Sequence, residues 1–441
     1  MADVKSLIDN SKITGTQIGV IAVCLIMNML DGMDVMVISY AAPLLSEEWG
    51  IEKSALGVVF SAALLGMALG AAFLAPLADS IGRRKIILIC IVVMSGGVLL
   101  TAASSSVTHL MILRFISGLG IGAMLASTVT LSSEYAPERQ KNFVVGIVLA
   151  GYPIGATLSG LVAAQLIPAY GWRSMFIAAG IAGLVTLPIA FYMLTESWEW
   201  VLKKQPANAL EKLNKILTRM GHGAIDSLPP KPEEAGQKPG VGSLFTHGRA
   251  EGTIKLWTAF FLGFATLYYL TTWIPNMARN TGLSIELAIY AGTVFNLGAI
   301  FGNLTQGYLS QIIGLRKSII LFYVGTAVMM GVFGFVSGNF MILTVFALIG
   351  FGVQGGLIGL WTVGAKIYPA EIRNTGLGWA AGLGRTGAII SPIIGGILAQ
   401  AGLPLATILI IFSIPLIIAC VAIWILRNSE LDSKTAVTPA H

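Results

Sequence analysis

Twelve stretches of this chain each run for more than twenty residues with almost no charge: 18–45, 54–79, 85–105, 107–134, 142–167 and 172–195, then, after a long break, 253–277, 284–310, 317–337, 340–367, 374–401 and 403–426. About twenty apolar residues suffice to carry a helix across roughly 30 Å of hydrocarbon. Lipid supplies no partners for the backbone, so a segment of this kind must satisfy its own hydrogen bonds as a helix. The runs are continuous rather than alternating in ten-residue pieces, which excludes an outer-membrane barrel. The predicted fold class is an all-α membrane protein with twelve transmembrane helices in two pseudo-symmetric six-helix bundles. Composition agrees: 55% of residues are hydrophobic and 11% are charged, where soluble domains carry about 25% charge.

The net charge of +6 could suggest a nucleic-acid partner, but its distribution argues otherwise. With both termini cytoplasmic, only Lys53, Arg173 and Arg279 of the 27 Lys and Arg fall outside, and Arg114 and Arg385 lie within spans; the other 22 are inside. That is the positive-inside bias of a polytopic protein. The expected partner surface is the lipid bilayer, with no nucleic acid. The expected location is a bacterial inner membrane.

Soluble-enzyme chemistry has little support. Cys24, Cys90 and Cys420 all fall in apolar spans, with no disulfide or metal spacing. His109, His222, His247 and His441 are scattered through loops and tails. Neither a metal nor a cofactor is expected, and no enzymatic activity. Met1–Gln17 is short and polar, without a small-residue cleavage pattern, so the first span is expected to direct insertion itself.

The chain repeats itself. Asp79, Gly82, Arg83, Arg84 and Lys85 after span 2 correspond to Gln311, Gly314, Leu315, Arg316 and Lys317 after span 8, at an offset of 232. Tyr135–Glu138 after span 4 is echoed by Tyr368–Glu371 after span 10, at an offset of 233. Parallel six-helix repeats are a recurring transporter plan. The expected organisation is an N-terminal segment 1–17, a six-helix bundle 18–195, a linker 196–252, a second bundle 253–426 and a tail 427–441. Within the linker, Leu210, Leu213, Ile216 and Leu217 stand at helical spacing among lysines and predict an amphipathic helix at the inner membrane face. The Pro-, Gly- and charge-rich run from Leu228 to Gly240 reads as flexible linker.

The loop Leu77–Lys85 resembles the loop signature of the major facilitator superfamily. Arg114–Gly122 on span 4 and Tyr368–Gly376 after span 10 add to the resemblance, which covers essentially the whole chain. Asp31-Gly32-Met33-Asp34 on span 1 looks like the D-G-x-D motif of the aromatic acid:proton symporters, and Arg385–Pro392 on span 11 is similar to that family's arginine segment. The resemblance implies import of benzoate, hydroxybenzoates or related ring-cleavage acids, driven by the proton gradient. A monomer is expected.

Several residues stand out on physical grounds. An acid at the centre of a bilayer costs about 2.5–3.5 kcal/mol, and Asp31 and Asp34 are three apart on one helix face, with Asn28 a turn earlier. Two like charges in a poorly solvated site resist ionising together, as a proton-coupling pair requires. The alternative is a polar pair near a helix break at Gly32, satisfied by neighbours. In the family that this chain resembles, span 4 packs near span 1, so Arg114 is a candidate partner of either acid; it could equally do no more than hold two helices together.

Arg385 carries a planar fork that matches a carboxylate, which makes it the candidate substrate anchor, or else a clamp on backbone carbonyls beside Pro392. Tyr269 and Trp273 share a face of span 7 and suit a planar ring, although Trp273 also fits an interfacial aromatic belt. Asn296 and Asn303 on span 8, and Gln354 and Trp361 on span 10, repeat at seven residues and are candidate lining; interhelical hydrogen bonding explains the amides as well. Asp79, Arg83, Arg84, Glu134 and Arg373 are candidate gating residues, acting on the balance of inward and outward states.

The resulting expectation is proton-coupled import of a small organic anion, most readily an aromatic carboxylate, by alternating access. Its partners are the anion and protons. A proton-driven exporter of drugs or metabolites and a passive anion pore are the rivals.

Overall fold

The computed structural model describes residues 2–9, 13–231, 240–246 and 248–426. Among the described residues, twelve helices are long and apolar enough to span a membrane: α1 (Gly15–Trp49), α2 (Lys53–Ile81), α3 (Arg83–Thr101), α4 (Val107–Glu134), α5 (Glu138–Tyr170), α6 (Trp172–Met193), α7 (Ala250–Asn280), α8 (Ile285–Ile312), α9 (Leu315–Phe335), α10 (Asn339–Ile367), α11 (Thr375–Gln400) and α12 (Leu405–Trp424). No strand occurs among the described residues. The fold is the all-α, twelve-helix membrane architecture that the apolar runs require.

The chain forms two compact units, Met1–Ala41 with Ala62–Gly236, and Ala42–Ser61 with Gln237–His441. The second unit therefore contains the C-terminal end of α1 and the first part of α2, which the sequence repeat alone assigns to the first bundle. The contacts are specific. Ser61 Oγ donates to the Ile389 carbonyl at 2.6 Å, and the Lys53 amide donates to Gln400 Oε1 at 3.0 Å. Gly57 lies directly beneath the Pro392 carbonyl, where any Cβ would collide.

In the first unit, Gly66 and Gly70 of α2 face the Phe115 and Leu119 carbonyls of α4, while Gly118 and Gly122 of α4 face the Ala63 and Met67 carbonyls of α2. In the second unit the same crossing recurs 232 residues later. Gly298 and Gly302 of α8 face the Ala347 and Phe351 carbonyls of α10, and Gly350 faces that of Phe295. Small residues at these points let two backbones touch in an environment where packing, not water, drives association. The loops repeat too: Gly82 and Gly314 hold φ of +105° and +89° at helix starts, a conformation L side chains rarely adopt.

α1 runs unbroken through Gly32, so the helix break considered above does not occur. Gly32 is instead where the Tyr152 carbonyl of α5 crosses, and Gly155 of α5 receives the Met29 carbonyl of α1 in the same way. Nor does α11 break at Pro392.

The linker helix forms over Ala209–Arg219. Its apolar residues Leu213, Ile216 and Leu217 are buried against the protein, so this face is covered by protein rather than offered to lipid. Most of the Pro/Gly-rich run (residues 232–239), His247 and the tail 427–441, including His441, lie outside the described residues.

Candidate functional site

The first unit holds a buried ion pair. Arg114 of α4 donates from Nη1 to Asp34 Oδ1 and from Nη2 to Asp34 Oδ2, both at 2.7 Å, and from Nη2 to the Asp34 carbonyl at 3.1 Å. Arg114 is 0% exposed and Asp34 2%. Both terminal nitrogens of the guanidinium are committed to one carboxylate, in the planar geometry that favours arginine over lysine. A buried pair of this kind is costly to break by removing one partner, at about 3–5 kcal/mol.

Asp31 lies three residues earlier on α1 and is also 2% exposed. Asn28, a turn further back, donates from Nδ2 to the Cys24 carbonyl at 3.1 Å and to Thr128 Oγ1 of α4 at 3.3 Å. The two acids thus share a helix face but occupy different surroundings. Asp34 sits on the Arg114 fork, and Asp31 is buried one helical turn before it.

A second cluster forms where α2, α4 and α6 end. Arg83 pairs with Glu134. Ser197 Oγ donates to Glu134 Oε2 at 2.5 Å, and Trp198 Nε1 to the Glu134 carbonyl at 2.9 Å. Arg84 donates from its amide to Glu196 Oε1 at 3.1 Å, from Nε to the Leu194 carbonyl at 2.8 Å and from Nη2 to the Phe191 carbonyl at 2.6 Å. Tyr135 OH donates to the Glu196 carbonyl at 2.8 Å and accepts from Thr195 Oγ1 at 2.6 Å. Burial pushes the Tyr135 phenol above its usual range, with the Thr195 contact opposing, so it remains a neutral donor. Asp79 is exposed and contributes its carbonyl, which accepts from Trp200 Nε1 at 3.0 Å.

Asp79, Arg83, Arg84 and Glu134 therefore meet in one network, tied down by the segment after α6. Arg373 belongs to the other unit and donates from Nε to the Tyr368 carbonyl at 3.3 Å. Sequence reasoning missed Tyr135, Glu196, Ser197, Trp198 and Trp200. The Trp198-Glu199-Trp200 triplet, placed just after a span, was the available signal.

In the second unit, Arg385 lies half-buried on α11. Tyr269 of α7 is 2% exposed, its ring stacked on Phe412 of α12 at 3.6 Å between centroids and 6° between planes. Trp273 is 3% exposed, donates from Nε1 to the Pro392 carbonyl at 3.2 Å and meets Phe60 edge-on at 5.3 Å. Both side chains are committed to interhelical packing, and Trp273 is not a belt residue. Asn296 is buried and donates to the Gly292 carbonyl at 2.9 Å. Asn303, Gln354 and Trp361 are half-buried, with Trp361 edge-on to Phe260 at 5.2 Å. Phe264 and Tyr268 are among the half-exposed rings on α7, with Trp257 and Phe261, and sequence reasoning did not single them out. Among the described residues, no group of three His, Cys, Asp or Glu is arranged to hold a metal.

The profile described as Major Facilitator Superfamily matches residues 24–289 and 256–440. The 4-hydroxybenzoate transporter PcaK of Acinetobacter baylyi is 33% identical over 430 residues, covering 96% of this chain and 94% of its own. A gallate transporter of Pseudomonas putida is 32% identical over 439 residues, covering 99% and 97%. A solved bacterial homologue of the human lysosomal transporter Spinster, inward-facing and unoccupied, gives a TM-score of 0.74 at 17% identity, covering 93% of this chain and 97% of that one. At that identity the likeness bears on fold alone.

Proposed function

Because the chain belongs to the Major Facilitator Superfamily, and is a carrier rather than an enzyme, we propose that it couples inward proton movement to the import of a small aromatic carboxylate by alternating access. The observation that carries this reading is the pair of acids on one face of α1, buried at mid-helix, with Arg114 forked onto one of them. Charges in such a place mark an ion pathway by default. The aromatic substrate is supported by relatives named for 4-hydroxybenzoate and gallate.

The steps follow from the chemistry of the groups. A proton enters from outside and loads the Asp31/Asp34 pair. The carboxylate of the substrate docks on Arg385. The protein then reorients, and the network of Arg83, Glu134 and the segment after α6, on the side that we assign to the cytoplasm, rearranges to release the cargo. One proton per monoanion is electroneutral and draws on the pH difference alone, about 1.4 kcal/mol per pH unit. A second proton would add about 2.3 kcal/mol per 100 mV of membrane potential.

The test is uptake of labelled 4-hydroxybenzoate by proteoliposomes under an inwardly directed proton gradient. Accumulation above the equilibrium level, collapsed by a protonophore, is the expected result. Equilibration without accumulation would point to a pore, and outward pumping to an exporter.

A further inference from the structure

We propose that Phe264 and Tyr268, stacked on α7 beside the Arg385 segment, form the platform that selects an aromatic ring over an aliphatic one. The inference rests on the proposed function and adds to it a specific subsite, carried by residues other than Tyr269 and Trp273.

Three aromatic contacts and one close glycine approach join three helices of the second unit here. Phe260 stacks on Phe264 at 6.1 Å and 29°, and Phe264 on Tyr268 at 5.9 Å and 12°. These rings follow one another at four-residue steps along a single face of α7. Trp361 of α10 closes edge-on against Phe260 at 5.2 Å. From α11, Gly384 comes so near the Phe264 ring that an added Cβ would lie 2.8 Å from Cδ2. Arg385 is the next residue. Both α10 and α11 therefore reach this face of α7.

Phe260 is fully buried and acts as backing. Phe264 and Tyr268 remain half-exposed, as do Trp361 and Arg385. Half-exposed parallel rings, met by the α11 backbone one residue before Arg385, match a planar acid in both of its parts. The carboxylate takes the fork, and the ring extends an existing offset stack. Gly384 is what allows the α11 backbone to reach the ring edge. At the offset of 233 that relates Tyr135 to Tyr368, the first unit has Gly151 and Tyr152 in place of Gly384 and Arg385, so the arginine beside a glycine crossing is particular to the second unit.

The discriminating pair of probes is benzoate and cyclohexanecarboxylate, which share charge and approximate size but differ in having a π face. Binding of each to the purified full-length protein is measured for wild type, Phe264→Leu, Phe264→Tyr, Tyr268→Leu and Gly384→Ala. Wild type is expected to favour benzoate by about three- to tenfold, the range that an aromatic pair contributes beyond buried area. Phe264→Leu is expected to bring the ratio near one while cyclohexanecarboxylate still binds, and Phe264→Tyr to restore it. Tyr268→Leu gives the same readout at the neighbouring ring if Phe264→Leu does not fold. Gly384→Ala, by displacing the ring, should weaken benzoate more than cyclohexanecarboxylate. An unchanged ratio in Phe264→Leu, or in Tyr268→Leu where the former does not fold, overturns the platform and leaves the import reading standing. A wild type that binds neither acid overturns both.

Discussion

Arg114 reaches across from α4 to a carboxylate 80 residues earlier and closes both of its terminal nitrogens on Asp34. The pair is sealed from solvent, so its two halves should be far less separable than a surface salt bridge. Arg114→Ala or Asp34→Leu alone is expected to lower the unfolding free energy by about 3–5 kcal/mol, because each leaves a buried charge alone. The double variant Asp34→Leu/Arg114→Met should recover most of that loss yet transport nothing against a gradient. Thermal unfolding of the three purified proteins checks this. Additive losses in the double variant would mean that the two residues do not act as a pair.

Arg385 is proposed to hold the substrate through a two-pronged contact, which a lysine cannot reproduce. Arg385→Lys should therefore weaken carboxylate binding by tenfold or more, about 1.4 kcal/mol, although the charge is kept. Calorimetric titration with benzoate reads this directly. Wild-type affinity in the lysine variant would remove the fork from the account.

Gly32 and Gly96 make a matched test of packing. A Cβ on Gly32 would strike the Tyr152 backbone carbonyl, whereas nothing lies within 4 Å of one on Gly96. Gly32→Ala should cost about 1–3 kcal/mol through overpacking. Gly96→Ala should be neutral or gain about 0.5–1 kcal/mol from helix propensity. Melting temperatures in one detergent compare them; equal shifts would contradict the close α1–α5 crossing.

Glu134 anchors Arg83, Ser197 and Trp198 at once. Glu134→Gln keeps the shape and the backbone contact but loses the ion pair, at an expected cost of about 1.5–3 kcal/mol. The segment after α6 should loosen, shifting tryptophan emission from Trp198 and Trp200 to the red and altering the turnover rate before substrate affinity. Unaltered emission together with unaltered turnover would show the cluster to be a static brace.

Much of this architecture could be read from sequence because hydrocarbon leaves few choices. The twelve spans follow from length and composition, and the offsets linking Gly82 to Gly314 and Tyr135 to Tyr368 already announce two halves. Arg114 could be matched with the acids of α1 through the family resemblance, which implies that span 4 packs near span 1. The aromatic face of α7 was a different problem. Tyr269 and Trp273 share a face, but α7 carries rings on several sides, and periodicity does not say which side a neighbouring helix covers. Tyr269 is taken by Phe412 and Trp273 by Pro392, leaving the adjacent Phe264–Tyr268 face half-open. Ser197 and Trp198 escaped notice for a related reason: they are uncharged and more than sixty residues from Glu134, so only the fold brings them together.

The acid pair of α1 is proposed to carry the proton that moves with the substrate. Simultaneous recording of labelled 4-hydroxybenzoate entry and internal acidification in proteoliposomes measures it most directly, with wild type beside Asp31→Asn and Asp34→Asn. Wild type is expected to acidify the lumen in fixed ratio to uptake, and both variants to lose accumulation and acidification together, with Asp31→Asn, which keeps Asp34 for the Arg114 fork, still exchanging substrate across the membrane. Wild-type proton-to-substrate ratios in both variants would contradict it.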